Sequence, residues 1–327
     1  MRLKTPADER FLQSSIFEQS FGGAEVNVAV SLSLLNQDVR LVSAVPSSSL
    51  GDRAIQEIRR WGVKTDHLIQ KKGRLGLYYM ESGANQRSGQ VIYDRSDSVF
   101  SELSSESLNW NEIFNGIDWF HISGITPALS QTAADNSLMA MKAAKERGVR
   151  ISFDLNFRTK LWNYGLSPET VLEPMMELTD VLIAGRGDCQ NALNIHGEGD
   201  PDSKAYFEAL TQKTMSRFPN LSQIAVTIRD TQSAEHHNWA ACLRNEDGVA
   251  FSRQYEIKDI VDRVGSGDAF SAGLIYALSE EMAQQDALEF AAAACCLKHS
   301  VYGDFNLVSA EEISAIASGT PVGRVQR

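Results

Sequence analysis

Near its carboxyl end the chain reads Asp262-Arg263-Val264-Gly265-Ser266-Gly267-Asp268-Ala269-Phe270 and then enters a small, apolar run over 271–278. Two glycines ahead of a helix let the backbone approach an anion closely, and the unpaired N–H groups and dipole of the helix start stabilise its charge. A carboxylate on the first turn can take a proton from an attacking hydroxyl. The segment therefore reads as a site for phosphoryl transfer, with Asp268 as general base and the N–H groups of Gly265, Ser266 and Gly267 facing the developing charge. By itself it reads equally as a Gly-rich loop capped by an Asp.

Three further clusters carry donors. Gly22-Gly23-Ala24-Glu25-Val26-Asn27 opens another apolar helix, and Asn27, about one turn in, can face whatever sits at the helix start. Asp154, Asn156 and Arg158 fall on one period-two face at the end of an expected strand over 149–155, where an open α/β sheet binds ligands. Tyr93 and Arg95 alternate onto one face of another strand and together offer a hydroxyl and a bidentate fork to a carboxylate. The chain has no Gly-x-x-x-x-Gly-Lys-Ser/Thr segment and no protein-kinase motif set, and its histidines lack zinc-site spacing. Among phosphotransferases, a helix-terminus anion hole remains.

The elements that must position these residues alternate along the chain. Buried strands are expected at 39–45, 119–123, 149–155, 181–184 and 224–228, and helices at 24–35, 52–61, 131–147 and 203–218. Such alternation implies an α/β fold, a mostly parallel sheet with helices on both faces. Three extended pieces at 67–70, 75–81 and 90–94 have no helix between them and read as an antiparallel flap; 239–243 and 249–255 read as a hairpin. With no repeat or linker, one domain over 1–327 with a β lid built mainly from about 65–95 is the expectation.

Composition narrows the class. With 43% apolar and 22% charged residues the chain can bury a large core, and no apolar run reaches the roughly 18 residues a bilayer span needs. The start lacks a secretory core and the four cysteines lack metal spacing, so a cytoplasmic location is expected, with Cys295 and Cys296 as small buried side chains. A net charge of −11 argues against nucleic-acid and membrane partners. Anionic ligands must then rely on local donors such as Arg95, Arg158 and the 265–267 amides.

In their order, the Gly22–Ala29, Ile151–Arg158 and Asp262–Phe270 blocks resemble the ribokinase-like, or PfkB, family of sugar kinases over nearly the whole chain. Gly76-Leu77-Tyr78-Tyr79, Tyr93-Asp94-Arg95, Asn156-Phe157-Arg158 with Leu161-Trp162, and Asp262-Arg263-Val264-Gly265 are similar to its 2-keto-3-deoxygluconate kinase branch. The resemblance implies a three-layer ribokinase-like fold and ATP-dependent phosphorylation of the terminal hydroxyl of that sugar acid. A kinase of another small sugar, fructose or ribose, and a non-catalytic sugar-binding regulator are the alternatives.

By the same resemblance, Gly23 and Asn27 contact sugar hydroxyls, with Glu25 less certain. Arg95 and Tyr93, with Tyr79 or Tyr78 as neighbour, meet the acid end of the substrate. Asn156 and Arg158 reach phosphate oxygens, water on magnesium or the keto-acid end, and the residues alone do not decide among these. Thr227 and Arg229 take nucleotide contacts in a segment where many members carry a Gly-rich loop and this chain has none. Asp304, in Gly303-Asp304-Phe305-Asn306, touches a substrate hydroxyl or is simply a turn residue. Magnesium enters on the ATP phosphates, a monovalent cation near 262–264 is possible, and a homo-oligomer is expected. Members ordinarily have a buried strand ending in Gly-Glu or Gly-Asp ahead of the equivalent of Arg2-Leu3. That strand is absent here, so an upstream-extended chain is expected to be more stable or more active.

Overall fold

Apolar runs of five residues or so, each followed by an amphipathic segment, fold here as strands buried on both faces. In the computed structural model, which describes residues 1–319, the chain begins with β1 (Arg2–Lys4), β2 (Glu18–Ser20), α1 (Ala24–Leu34), β3 (Ser43–Pro46), α2 (Ser49–Arg59), β4 (Leu68–Lys71), β5 (Leu77–Glu81) and β6 (Gln90–Asp94). There follow α3 (Trp110–Ile113), β7 (Trp119–Ser123), α4 (Gln131–Lys145), β8 (Arg150–Asp154), α5 (Pro168–Met176), β9 (Val181–Gly185), α6 (Arg186–Leu193), α7 (Lys204–Arg217) and β10 (Gln223–Thr231). The remainder is β11 (His237–Asn245), β12 (Gly248–Phe251), β13 (Tyr255–Ile257), α8 (Ser266–Ser279), α9 (Gln284–Lys298) and α10 (Ala310–Ala317). The expected domain span runs on to Arg327; positions 320–327 lie outside the described residues.

The central sheet has the order β12-β11-β10-β9-β8-β7, with β13 beside β11. Strands β7 to β10 run parallel, and β11 turns back antiparallel on β10. Along β9, Leu182 and Ala184 enter one apolar core with Phe153, Leu172 and Phe207, while Val181 and Ile183 enter a second with Phe270, Leu274 and Ala291. Burial on both faces is why the strand reads as an unbroken apolar run. The second core is sealed by close packing of α8 on α9: a Cβ on Gly273 would lie 3.0 Å from both Ala291 Cα and Ala294 Cβ. The alanine run is thus a helix contact, and Cys295 is buried with it.

The flap differs from expectation. β5 and β6 do pair antiparallel, with Tyr78 opposite Tyr93. β4 does not join them, because α2 intervenes between β3 and β4 and the two pair in parallel as a β-α-β unit. The other half of the flap comes from the amino terminus, giving the order β2-β1-β5-β6. Arg2 consequently stands beside Tyr78.

Among the described residues no strand joins β3 to β7. A cleft of about 820 Å³ runs from the Gly22–Glu25 turn, Tyr78 and Arg95 into the space between those two strands, where it is walled by residues 39–45, by Val28 and Leu32 of α1 and by Ala133 and Ala140 of α4, with Met1 also lining it. Two unpaired strand edges facing an apolar space are a packing defect. An apolar strand fused ahead of Met1 is expected to fill the cleft and raise the Tm; an unchanged Tm and unchanged turnover would show that the defect has no cost.

Candidate active site

The start of α8 is shaped by one residue. Gly265 has φ 82°, and a Cβ there would lie 2.1 Å from the Asp304 carbonyl oxygen, so both the left-handed turn and the close approach need glycine. Asp268 follows on the first turn, 8% exposed. The cradle of three amides expected at 265–267 is narrower, because Ser266 N already donates to Arg263 O at 3.3 Å. Helix geometry instead leaves the N–H groups of Gly267 and Asp268 without intrahelical acceptors, and the space beside Gly267 is open.

Asn27 joins this helix start to that of α1. Its Nδ2 donates to Asp268 Oδ2 at 2.6 Å, while its Oδ1 accepts from Gly23 N at 3.3 Å. Glu25 serves differently: its Oε1 accepts from Ser123 N (3.0 Å), Ser123 Oγ (2.9 Å) and Thr126 Oγ1 (2.7 Å), anchoring α1 to the end of β7. Burial raises the Asp268 pKa to about 7; the Asn27 bond opposes this, Glu25 and Asp304 add to it and Arg158 lowers it.

Two more carboxylates lie nearby. Asp154 is pushed up by burial and then by the charges of Asp188 and Asp268. Asp188 is also raised by burial, although it accepts Gly185 N at 2.7 Å and Phe157 N at 3.1 Å. The period-two face expected for Asp154, Asn156 and Arg158 stops at Asp154. Asn156 turns to φ 37°, its N–H donating to Asp154 Oδ1 at 3.1 Å, which leaves its own buried Oδ1 without a partner. Arg158 stays exposed, close enough to lower the pKa of all three carboxylates. Thr227 and Arg229 lie within β10, not on a loop after it, because the ladder with β11 continues as far as Thr231 opposite His237. Thr227 sits opposite Gly185 at the start of α6, and Arg229 is exposed.

Over these groups stands the four-stranded flap. Arg95 lies over the Tyr93 ring at 4.9 Å and the Tyr78 ring at 5.6 Å. Tyr78, not Tyr79, is the inward neighbour: successive strand residues point to opposite faces, and Tyr79 packs edge-on against Phe17 at 5.7 Å. The Tyr78 hydroxyl donates to Asp304 Oδ2. Asp304 Oδ1 accepts from Arg2 Nη1 at 2.9 Å and Ser20 Oγ at 3.5 Å, and a Cβ on Gly22 would strike the same carboxylate at 2.2 Å. Both oxygens of Asp304 are therefore engaged in tying flap to loop. Arg2, 1% exposed, also donates to Asp262, whose Oδ1 accepts from Val264 N at 3.1 Å. Sequence reasoning assigned Arg2, Asp262 and Asp188 no role; β1 reads Arg-Leu-Lys, and nothing in that pattern marks Arg2 as buried.

A doubly covered parallel sheet with a first-turn carboxylate beside free helix amides defines the ribokinase-like class of α/β phosphotransferases. Residues 3–307 match the model of the pfkB family carbohydrate kinases, and the chain belongs to that family. It is a carbohydrate kinase. A 2-dehydro-3-deoxygalactonokinase of Haloferax volcanii is 30% identical over 99% of this chain and 95% of its own. A 2-dehydro-3-deoxygluconokinase of Bacillus subtilis is 25% identical over 93% and 88%. The crystal structure of a 2-dehydro-3-deoxygluconokinase from Thermotoga maritima superposes with a TM-score of 0.93 at 40% identity, covering 97% and 96%. Among the described residues no group of three or more His, Cys, Asp or Glu side chains is arranged to hold a metal ion, and no helix is long and apolar enough to cross a membrane.

Two stability effects follow from this geometry. Asp268 binds its proton more tightly folded than unfolded, so stability falls as pH rises from about 4, where the unfolded carboxyl ionises, and levels off above about 7. Asp268→Asn is expected to melt several degrees above the wild type at pH 8, with the gap narrowing below pH 7 and closing near pH 4; equal melting at pH 8 and pH 4 would mean that the carboxylate is hydrated. Arg2→Ala leaves Asp262 and Asp304 buried without their cation and is expected to cost about 3–5 kcal/mol in denaturant unfolding. A cost near zero would show that water replaces the guanidinium.

Proposed function

We propose that this kinase transfers the γ-phosphoryl group of ATP to the terminal hydroxyl of 2-keto-3-deoxygluconate, with Asp268 as general base. The observation that carries the reading is Arg95. It is held over two tyrosine rings, shares a cavity wall with Gly23, and among the described residues has no carboxylate partner. A cation left unpaired in that cavity suits a substrate that brings its own carboxylate. The similarity to a 2-dehydro-3-deoxygalactonokinase favours a second reading, the 4-epimer of the same acid, which offers Arg95 the same group.

In this reading Asn27 fixes the Asp268 carboxylate by its 2.6 Å bond, and Asp268 accepts the proton of the attacking hydroxyl. A base titrating near 7 is about half ionised at neutral pH and basic enough to assist. Bound ATP with magnesium would supply the phosphoryl group and most of the charge neutralisation. The open helix start suits a phosphate, and Gly265, Gly267, Asn156, Arg158, Thr227 and Arg229 are the residues we assign to that side. Gly23, Tyr93 and Arg95 position the acid, with Tyr78 supporting Arg95 from below.

The test is ADP release across both epimeric acids, fructose and ribose. Asp268→Asn is expected to lower kcat by roughly 10²–10⁴, and the wild-type kcat/KM is expected to fall below pH about 7. Arg95→Ala is expected to raise KM for the acids by about 10²-fold while leaving residual turnover of neutral sugars unchanged. Equal losses on acids and neutral sugars would remove the carboxylate assignment, and full turnover by Asp268→Asn would remove the base.

A further inference from the structure

Lys298 ends α9 with its side chain fully buried, at 0% exposure. Its Nζ donates to Val301 O at 2.8 Å and approaches Asp262 O at 3.4 Å. Its Cε lies 3.5 Å from where a Gly265 Cβ would project, so the ammonium sits against the underside of the loop that opens α8. A buried ammonium is costly unless fully compensated, and burial pushes this one down to about 8 while Asp262 and Asp304 hold it up. No step of the chemistry described above uses it.

Backbone carbonyls converging from two neighbouring turns are what a weakly hydrated monovalent cation requires, since they replace its water shell. The cation expected near 262–264 does not fit here, because the Asp262 and Val301 carbonyls that would take it already face Lys298. We infer that the Lys298 ammonium is a tethered monovalent cation. It fills the carbonyl pocket beneath the anion-hole loop, holds that loop in its left-handed turn at Gly265, and frees this kinase from any need for potassium or ammonium. Lys298 is a positioning residue: it reaches no substrate atom and acts through the amides of Gly267 and Asp268. The inference rests on the α8 start serving as the anion hole and is independent of which sugar acid is bound.

The experiment compares wild type, Lys298→Ala and Lys298→Met in buffers whose sole monovalent cation is potassium, ammonium, sodium or tetramethylammonium, reading both turnover and Tm. Wild-type kcat and Tm are expected to be the same in all four. Lys298→Ala is expected to lose roughly 10-fold or more in kcat in sodium or tetramethylammonium, as displaced catalytic groups do, and to recover with potassium or ammonium. Its Tm should rise with those two ions only. Lys298→Met, which fills the space with an apolar chain, should be impaired in every buffer and recover in none. Activation of the wild type by potassium would overturn the inference, as would a Lys298→Ala variant whose Tm and kcat ignore the choice of ion. If Lys298→Ala folds only when potassium or ammonium is present, the inference stands. The Tm arm needs no substrate, so a wrong sugar would leave it intact.

Discussion

One guanidinium holds two separate pieces of this molecule in register. Arg2 arrives on the first strand of the flap and spans Asp262 before the anion-hole loop and Asp304 after α9. Asp304 in turn accepts the Tyr78 hydroxyl, and Tyr78 supports Arg95. With all four groups out of water the pairings are intolerant of a missing partner, since a lone buried charge has no solvent to fall back on. Flap and loop are therefore tied together through Arg2 and Asp304. The position of Arg95 over the Tyr78 ring is tied to that linkage and not to the flap strands alone.

Charge is handled unusually around it. Asp154, Asp188 and Asp268 are all raised by burial, and Arg158 at the surface is the cation that offsets each of them. Burial, with Glu25 and Asp304 adding to it, keeps Asp268 near the protonation boundary at neutral pH. The base chemistry proposed for Asp268 and the stability of the fold pull in opposite directions at that one residue. Below the loop, Lys298 adds a positive charge where the backbone offers only carbonyl oxygens.

Close packing makes this possible. Gly273 against Ala291 lets α8 lie tightly on α9, and Gly22 and Gly265 let Asp304 approach from two sides. Each contact is one Cβ deep, so the arrangement is set by which residues are small. By contrast, the gap between β3 and β7 is left open.

Much of this was legible in the chain itself. β9 read correctly because burial on both faces imposes a continuous apolar run, and α4 because its periodic pattern is long. The Gly265-Ser266-Gly267-Asp268 turn was legible because few other residue types tolerate that backbone. Asn27 was legible by its offset of one turn. What the chain could not reveal were parities and long-range meetings. Tyr78 and Tyr79 differ only in which way the strand faces, and that is decided by pairing with β1 and β6. Four extended residues at β4 carry no mark of their partner, and a helix before them decided it. Arg2 meets Asp304 across 302 positions, and Lys298 meets Asp262 across 36. Local residue types determine where a helix can start and which groups can ionise. Only the assembled sheet, by excluding water, decides which of those groups are forced to find one another.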